Sequence, residues 1–144
     1  MPSAAGDPDP ERQGSELYSC AYHGNISKLR LLILRGAPLD WRHPQGGASA
    51  LYVAVECGHG EAVQILLATG ASADNARDDG ATPLYRACQD GRADLVAKLL
   101  FAGANADHVN RAGMTPLWVA CHVGEPLTVR ALLDAHADPS RRVE

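Results

Sequence analysis

The sequence predicts an all-α solenoid of four helix-turn-helix units joined by β-hairpin-like turns, and three observations predict it. Leucine recurs at Leu17, Leu51, Leu84 and Leu117, in steps of 34, 33 and 33 residues. A fixed period of this length marks a stacked array of small supersecondary units. Glycine recurs in the middle of each unit, at Gly24, Gly58, Gly91 and Gly124. A second series, Gly36, Gly70 and Gly103, closes the units, with His136 in the fourth place.

The clearest unit runs from Asp78 to Ala104. Thr82 precedes Pro83, so a hydroxyl can cap a helix whose first position holds a residue that lacks an N–H. Leu84, Ala87 and Cys88 then fall at i, i+3 and i+4 and make one narrow apolar face, which Gly91 ends. The second helix of the unit carries Leu95, Val96, Leu99 and Leu100 on its apolar stripe and stops at Gly103. Neither helix is long enough to be stable alone in water, so each unit must bury its faces against its neighbours.

The remaining elements follow in chain order. Residues 1–13 hold three prolines among acidic and small residues and are expected to form a disordered tail. The first unit, about 14–43, lacks the Thr-Pro start; Ser15 is its expected cap, and Leu29, Leu31, Leu32 and Ile33 form its second apolar stripe. Asn25, Ser27 and Lys28 give it the polar outer side of a terminal capping repeat. The joint Trp41–Ala48, with Pro44 and the Gly46–Gly47 pair marking a turn, contains the extra residue of the first step. The second unit, about 44–76, starts a helix at Ser49 that runs through Cys57, and a second helix from about Gly60 to Thr69. The third spans about 77–109 and the fourth about 110–140, with Thr115-Pro116 opening its first helix and Pro126 its second. Residues 141–144 are read as a short tail. Leu132 and Leu133 do not announce a polar cap, so both a four-unit protein and a segment of a longer array fit.

The Thr-Pro-Leu-Tyr segment at Thr82–Tyr85 and the Thr-Pro-Leu-Trp segment at Thr115–Trp118 resemble the helix start of the ankyrin repeat, departing from it only at the last position. The resemblance covers about residues 14–140. It implies a right-handed stack of antiparallel helix pairs in which the first helices line a concave groove beside projecting hairpin tips.

Charge and cysteine usage narrow the function. A formal net charge of −4 and the absence of a long basic run argue against nucleic acid as the main partner. No apolar run reaches eighteen residues, and the N-terminus lacks the basic start and apolar core of a signal peptide. An intracellular, cytoplasmic location is expected, with the nucleus open to it, and no membrane association. Cys20, Cys57, Cys88 and Cys121 follow the repeat period rather than a metal-ligand spacing and are read as buried, reduced thiols. His23, His43, His59, His108, His122 and His136 form no zinc-protease, phosphate-loop or nucleophile motif. His59 follows Gly58 where ankyrin repeats carry a glycine-histidine pair, which implies a turn-stabilising role. His122 adjoins Cys121, but helical neighbours point about 100° apart and cannot form a thiol-imidazole pair. No catalytic residue, metal or cofactor is expected.

What remains is surface. The positions between the buried ones of each first helix must look the other way: Tyr18 and Ser19, Tyr52 and Val53, Tyr85 and Arg86, Trp118 and Val119. Tyr22, Glu56, Gln89 and His122 continue the same stripe. Ankyrin repeats usually hold histidine where Tyr18, Tyr52, Tyr85 and Trp118 stand. These aromatics are a packing spine between repeats or, for Tyr52, Tyr85 and Trp118, exposed anchors of the kind that dominate interfaces, and both can hold together. The hairpin tips vary around the constant frame: Trp41, Arg42, His43 and Gln45; Arg77, Asp78 and Asp79; His108, Asn110, Arg111 and Met114. Trp41 and Met114 are the tip residues least suited to solvent. Leu34 and Phe101, at the ends of second helices, either pack locally or form a convex apolar patch.

The function expected is that of a non-enzymatic, monomeric adaptor or scaffold that holds a protein or peptide partner in the groove and between the tips. One alternative is a resemblance to four-repeat ankyrin inhibitors of cyclin-dependent kinases. Those have a shortened first helix in the second repeat, whereas Ala50–Cys57 reads as full length. Another is the substrate-binding part of a ubiquitin ligase receptor, although no appended C-terminal helical box follows.

Overall fold

The computed structural model describes residues 9–137. Eight short helices follow one another: α1 (Pro10–His23), α2 (Ile26–Leu34), α3 (Ala50–Cys57), α4 (Gly60–Ala68), α5 (Pro83–Gln89), α6 (Ala93–Phe101), α7 (Pro116–Val123) and α8 (Pro126–Asp134). Consecutive helices pair within each repeat. Between repeats, α1, α3, α5 and α7 stack in one layer and α2, α4, α6 and α8 in a second.

The first layer starts as the sequence requires. The hydroxyls of Ser49, Thr82 and Thr115 accept hydrogen bonds from the backbone N–H groups of Tyr52, Tyr85 and Trp118 at 3.1, 3.2 and 3.1 Å. Pro83 and Pro116 fill the first helical position behind two of these caps. Each second helix begins after a tight glycine turn, and Asn25 caps α2 by accepting from Lys28 N–H, so its polarity serves the helix end. His136 has φ of 64°, the left-handed conformation that Gly36, Gly70 and Gly103 adopt at the same place in earlier repeats.

The N-terminal boundary differs from expectation. The chain is helical from Pro10, not ordered only from residue 14, and Ser15 lies exposed inside α1 rather than capping it. Asp9 is the cap, its carboxylate accepting from Glu11 N–H at 3.1 Å. Tertiary contacts hold the added turn down: Trp41 Nε1 donates to Glu11 Oε2 at 2.8 Å, and the indole lies across Gly14. Composition alone cannot reveal an anchor supplied thirty residues later. The rest of the expected tail, residues 1–8, and the expected tail at 141–144 lie outside the described residues.

The core is a continuous strip between the layers. Leu17, Leu51, Leu84 and Leu117 are all buried, as are Leu29, Val63, Leu66, Val96, Leu99 and Leu132 from the second layer. Leu31, expected on the apolar stripe of α2, is exposed instead, because the buried side of that helix is the Leu29 and Leu32 side. Val53 and Val119, expected to face outward, are buried; α3 is covered by α1 and α5 on its two flanks, and α7 packs against α5 and α8.

Each connection between repeats projects as a finger. The second and third close over five residues, with Arg77 N–H donating to Ala81 O at 2.9 Å and Asn110 N–H to Met114 O at 3.1 Å. The first closes over six, His43 N–H to Ala48 O at 2.8 Å, and this is where the extra residue of the first period is absorbed. Gly46 and Gly47 there have φ of 92° and 76°, which side-chain-bearing residues adopt only with strain. An isolated antiparallel bridge, Arg42 to Ser49, is the hairpin character found among the described residues. The fingers are tied in series: Asp78 N–H donates to Gly46 O at 3.0 Å and Arg111 N–H to Asp79 O at 3.1 Å.

Two stability measurements check this packing. Leu99→Ala, at a fully buried site, is expected to cost about 2–5 kcal/mol in urea denaturation. A Cβ on Gly14 would lie 2.3 Å from Trp41 Cγ, so Gly14→Ala should destabilise by about 1–3 kcal/mol. Combined with Trp41→Ala, that added cost should largely disappear in a double-mutant cycle.

Candidate functional site

The fingers stand beside the layer of first helices, and a depression of about 440 Å³ lies between them. Tyr52, Tyr85, Arg86 and Gln89 come to it from α3 and α5, Arg77, Asp79 and Ala81 from the second finger, and Asn110, Arg111, Ala112 and Met114 from the third. The α5 residues reach it because Leu84, Ala87 and Cys88 occupy the opposite, buried face.

The aromatic ladder is mostly a packing spine. Tyr52 and Tyr85 are only 2% and 8% exposed, which removes them as protruding anchors. The first three aromatics are each covered by the finger that follows. Tyr18 meets His43 and Trp41 with ring centroids 4.9 and 6.0 Å away, Tyr52 lies under the Arg77 guanidinium at 5.3 Å, and the Tyr85 hydroxyl donates to Met114 Sδ at 3.8 Å. Burial pushes the Tyr85 phenol above its ordinary pKa, so it stays a neutral donor. Trp118 is 44% exposed and stacks on its own His122, ring centroids 5.1 Å apart and planes 7° from parallel.

Other expected contact residues prove to be structural. Trp41 is half-buried against α1, with its N–H committed to Glu11, and Met114 is half-buried as the acceptor for Tyr85. Arg42 ties the first two fingers together, donating to Gly47 O at 3.1 Å and Ala76 O at 2.7 Å and pairing with Asp78 at 3.0 Å. His59 contacts Tyr22 O through Nε2 at 3.0 Å, the turn-stabilising role implied by its place after Gly58.

The structure therefore gathers Tyr52, Arg77, Tyr85, Arg86, Gln89, Arg111 and Met114 in one groove. Glu56 borders it through an ion pair with Arg86 at 3.5 Å, and Arg86 also pairs with Asp90 at 3.0 Å. Trp41, Arg42, His43, Gln45 and Asp78 lie outside the groove lining, in the first finger and its junction with the second; Trp118 and His122 sit on α7. Asn110, a variable tip residue, also lines the groove. Its Oδ1 accepts from Ala112 and Met114 N–H, both at 3.0 Å, and so shapes the third finger from within.

On the far side, Leu34 and Phe101 are 84% and 97% exposed. Phe101 borders a shallow hollow of about 530 Å³ between α4 and α6, with Leu67, Ala68 and Lys98. All four cysteines are free thiols, but their burial divides them. Cys20 and Cys88 are buried and Cys57 partly so, whereas Cys121 is exposed, contrary to the buried state expected of it, because no described element covers α7 on that side. Among the described residues no group of three or more His, Cys, Asp or Glu side chains could hold a metal ion. No described helix is long and apolar enough to cross a membrane.

Stacked helix pairs with serial fingers and a groove shared between repeats define a repeat solenoid. A family model described as ankyrin repeats in three copies matches residues 17–110 and again residues 70–143. The chain belongs to the ankyrin repeat family, whose members are generally protein–protein interaction modules. A comparison with curated proteins gives no match.

Thiol chemistry separates the cysteines experimentally. Burial pushes the Cys88 thiol up to about 12 from an ordinary 9.0. The unfolded chain then releases this proton before the native state does. The stability Cys88 contributes is whole below pH 9 and declines as pH rises from 9 toward 12, a slope that Cys88→Ala should flatten in urea titrations. In the native protein Cys121 should react with an alkylating reagent while Cys88 waits for unfolding. Phe101→Asp, at a site with no packing to lose, should change stability by no more than about 0.5 kcal/mol.

Proposed function

We propose that this chain is a non-enzymatic adaptor or scaffold module that grips a protein or peptide partner in the groove between the first helices and the second and third fingers. One observation carries this reading: a single depression takes its lining from three consecutive repeats, with Gln89 and Arg111 exposed at its rim and Tyr52 and Tyr85 buried as its floor. A floor fixed by packing and a polar rim is the arrangement that protein interfaces use, because the rigid part need not be ordered on binding. The net charge of −4 favours a protein over a nucleic acid. Four unpaired thiols suit a reducing, intracellular compartment. The kinase-inhibitor alternative gains nothing from α3, which has the same eight residues as α7 and is not shortened.

The reading is tested by affinity capture with the intact chain and the Gln89→Ala/Arg111→Ala double variant, using Phe101→Asp as a control on the opposite face. A partner held by the native and control proteins and lost from the double variant is the expected outcome. Identical recovery by all three proteins would place binding elsewhere.

A further inference from the structure

We infer that the partner segment received by this groove is acidic and sets a carboxylate against Arg77 and Arg111. The inference rests on the groove being the binding face. Three guanidinium groups line the depression, and they are not equivalent. Arg86 is already neutralised, by Glu56 at 3.5 Å and Asp90 at 3.0 Å. Arg77 and Arg111 form no ion pair among the described residues. Arg77 is held in place by the Tyr52 ring, 5.3 Å from its Cζ, and its Nε–H is buried without an acceptor.

The carboxylates of the neighbourhood, in contrast, each have a partner. Asp79 Oδ1 accepts from Ala81 N–H at 2.9 Å, Asp78 pairs with Arg42 at 3.0 Å, and Glu56 and Asp90 share Arg86. Arg77 also hydrogen-bonds Tyr52, so the free donors are its Nε–H and the exposed Arg111 guanidinium, which has no ion pair among the described residues, and these are complementary to an incoming anion. A carboxylate fits a guanidinium by paired, charge-assisted hydrogen bonds, which a neutral amide cannot match. The chain as a whole carries a net charge of −4, which opposes an acidic ligand at long range. Recognition therefore depends on contact at these two arginines rather than on steering, and a strongly acidic partner without a matching contact is rejected.

The test uses phage-displayed random dodecapeptides selected on the intact chain, followed by fluorescence-polarisation titration of the leading peptide. Asp or Glu should be enriched at one position. Replacing that residue by Asn or Gln, or making Arg111→Glu in the protein, should weaken binding by about tenfold or more. Selection on Arg111→Glu should shift the enriched residue to Lys or Arg, while Phe101→Asp should leave the titration unchanged. Arg111 is exposed, so its reversal leaves the core untouched, and circular dichroism of the variant checks this; Arg77→Ala then serves as the second variant. Enriched peptides without acidic residues, displaced by Gln89→Ala, would overturn the acidic assignment and leave the groove standing. Acidic peptides indifferent to Arg111→Glu would overturn it too. Failure to select any groove-dependent peptide would remove both readings.

Discussion

The interaction on which everything else depends is the seating of each finger on the aromatic residue of the repeat before it. Tyr18 is covered by Trp41 and His43, Tyr52 by Arg77, and Tyr85 by Met114. A helix of seven or eight residues has no stability of its own in water. It persists here because one flank is closed by the preceding helix and the other by the next, and the finger locks the spacing between them. The hydrogen bonds from Asp78 to Gly46 and from Arg111 to Asp79 run in the same direction and tie successive fingers into one ladder. A change in one repeat is therefore felt in the next, and the array behaves as nearest-neighbour units rather than as a single core.

The same seating makes the groove. Because Tyr52 and Tyr85 are consumed as its floor, the residues that can meet another molecule are those that rise past the floor: Arg77 from the second finger, Arg86 and Gln89 from α5 and Arg111 from the third finger. The groove is rigid where it is aromatic and adaptable where it is polar. At the first finger the balance is different. The extra residue there is accommodated by two left-handed glycines, and Trp41 lies on Gly14 and Glu11, so a side chain suited to an interface is spent on extending α1. Trp118 shows what the same register looks like with no described finger above it: its ring lies open and takes His122 as its neighbour.

Much of this was legible in the sequence. The recurrence of leucine and glycine located four helix pairs, and the Ser and Thr caps placed three of the first helices to the residue, because these signals act within a few positions along the chain. The candidate site was legible less evenly. Arg77, Arg86, Gln89 and Arg111 were recognisable as variable polar residues on a constant frame. Trp41 and Met114 were recognisable as tip residues poorly suited to solvent, but not what they touch, because Gly14, Glu11 and Tyr85 lie 27 to 30 residues earlier in the chain. Asn110 was recognisable as a variable tip residue; it serves the turn, and its position in space also puts it in the groove wall.

Sequence alone determined the repeat period, the ends of most helices and the buried leucine that recurs in each first helix, since period, capping and glycine conformations are local properties. Tertiary structure alone decided that Tyr52 and Tyr85 are buried while Trp118 and Phe101 are not, that helix α1 starts at Pro10, and that Arg77 and Arg111 are left without carboxylate partners among the described residues. Tyr52 and Tyr85 are covered from the next repeat, Trp118 has no described finger above it, and α1 is held by Trp41 from 30 residues along the chain, so whether a side chain is covered depends on how the elements are stacked rather than on the pattern within any one of them.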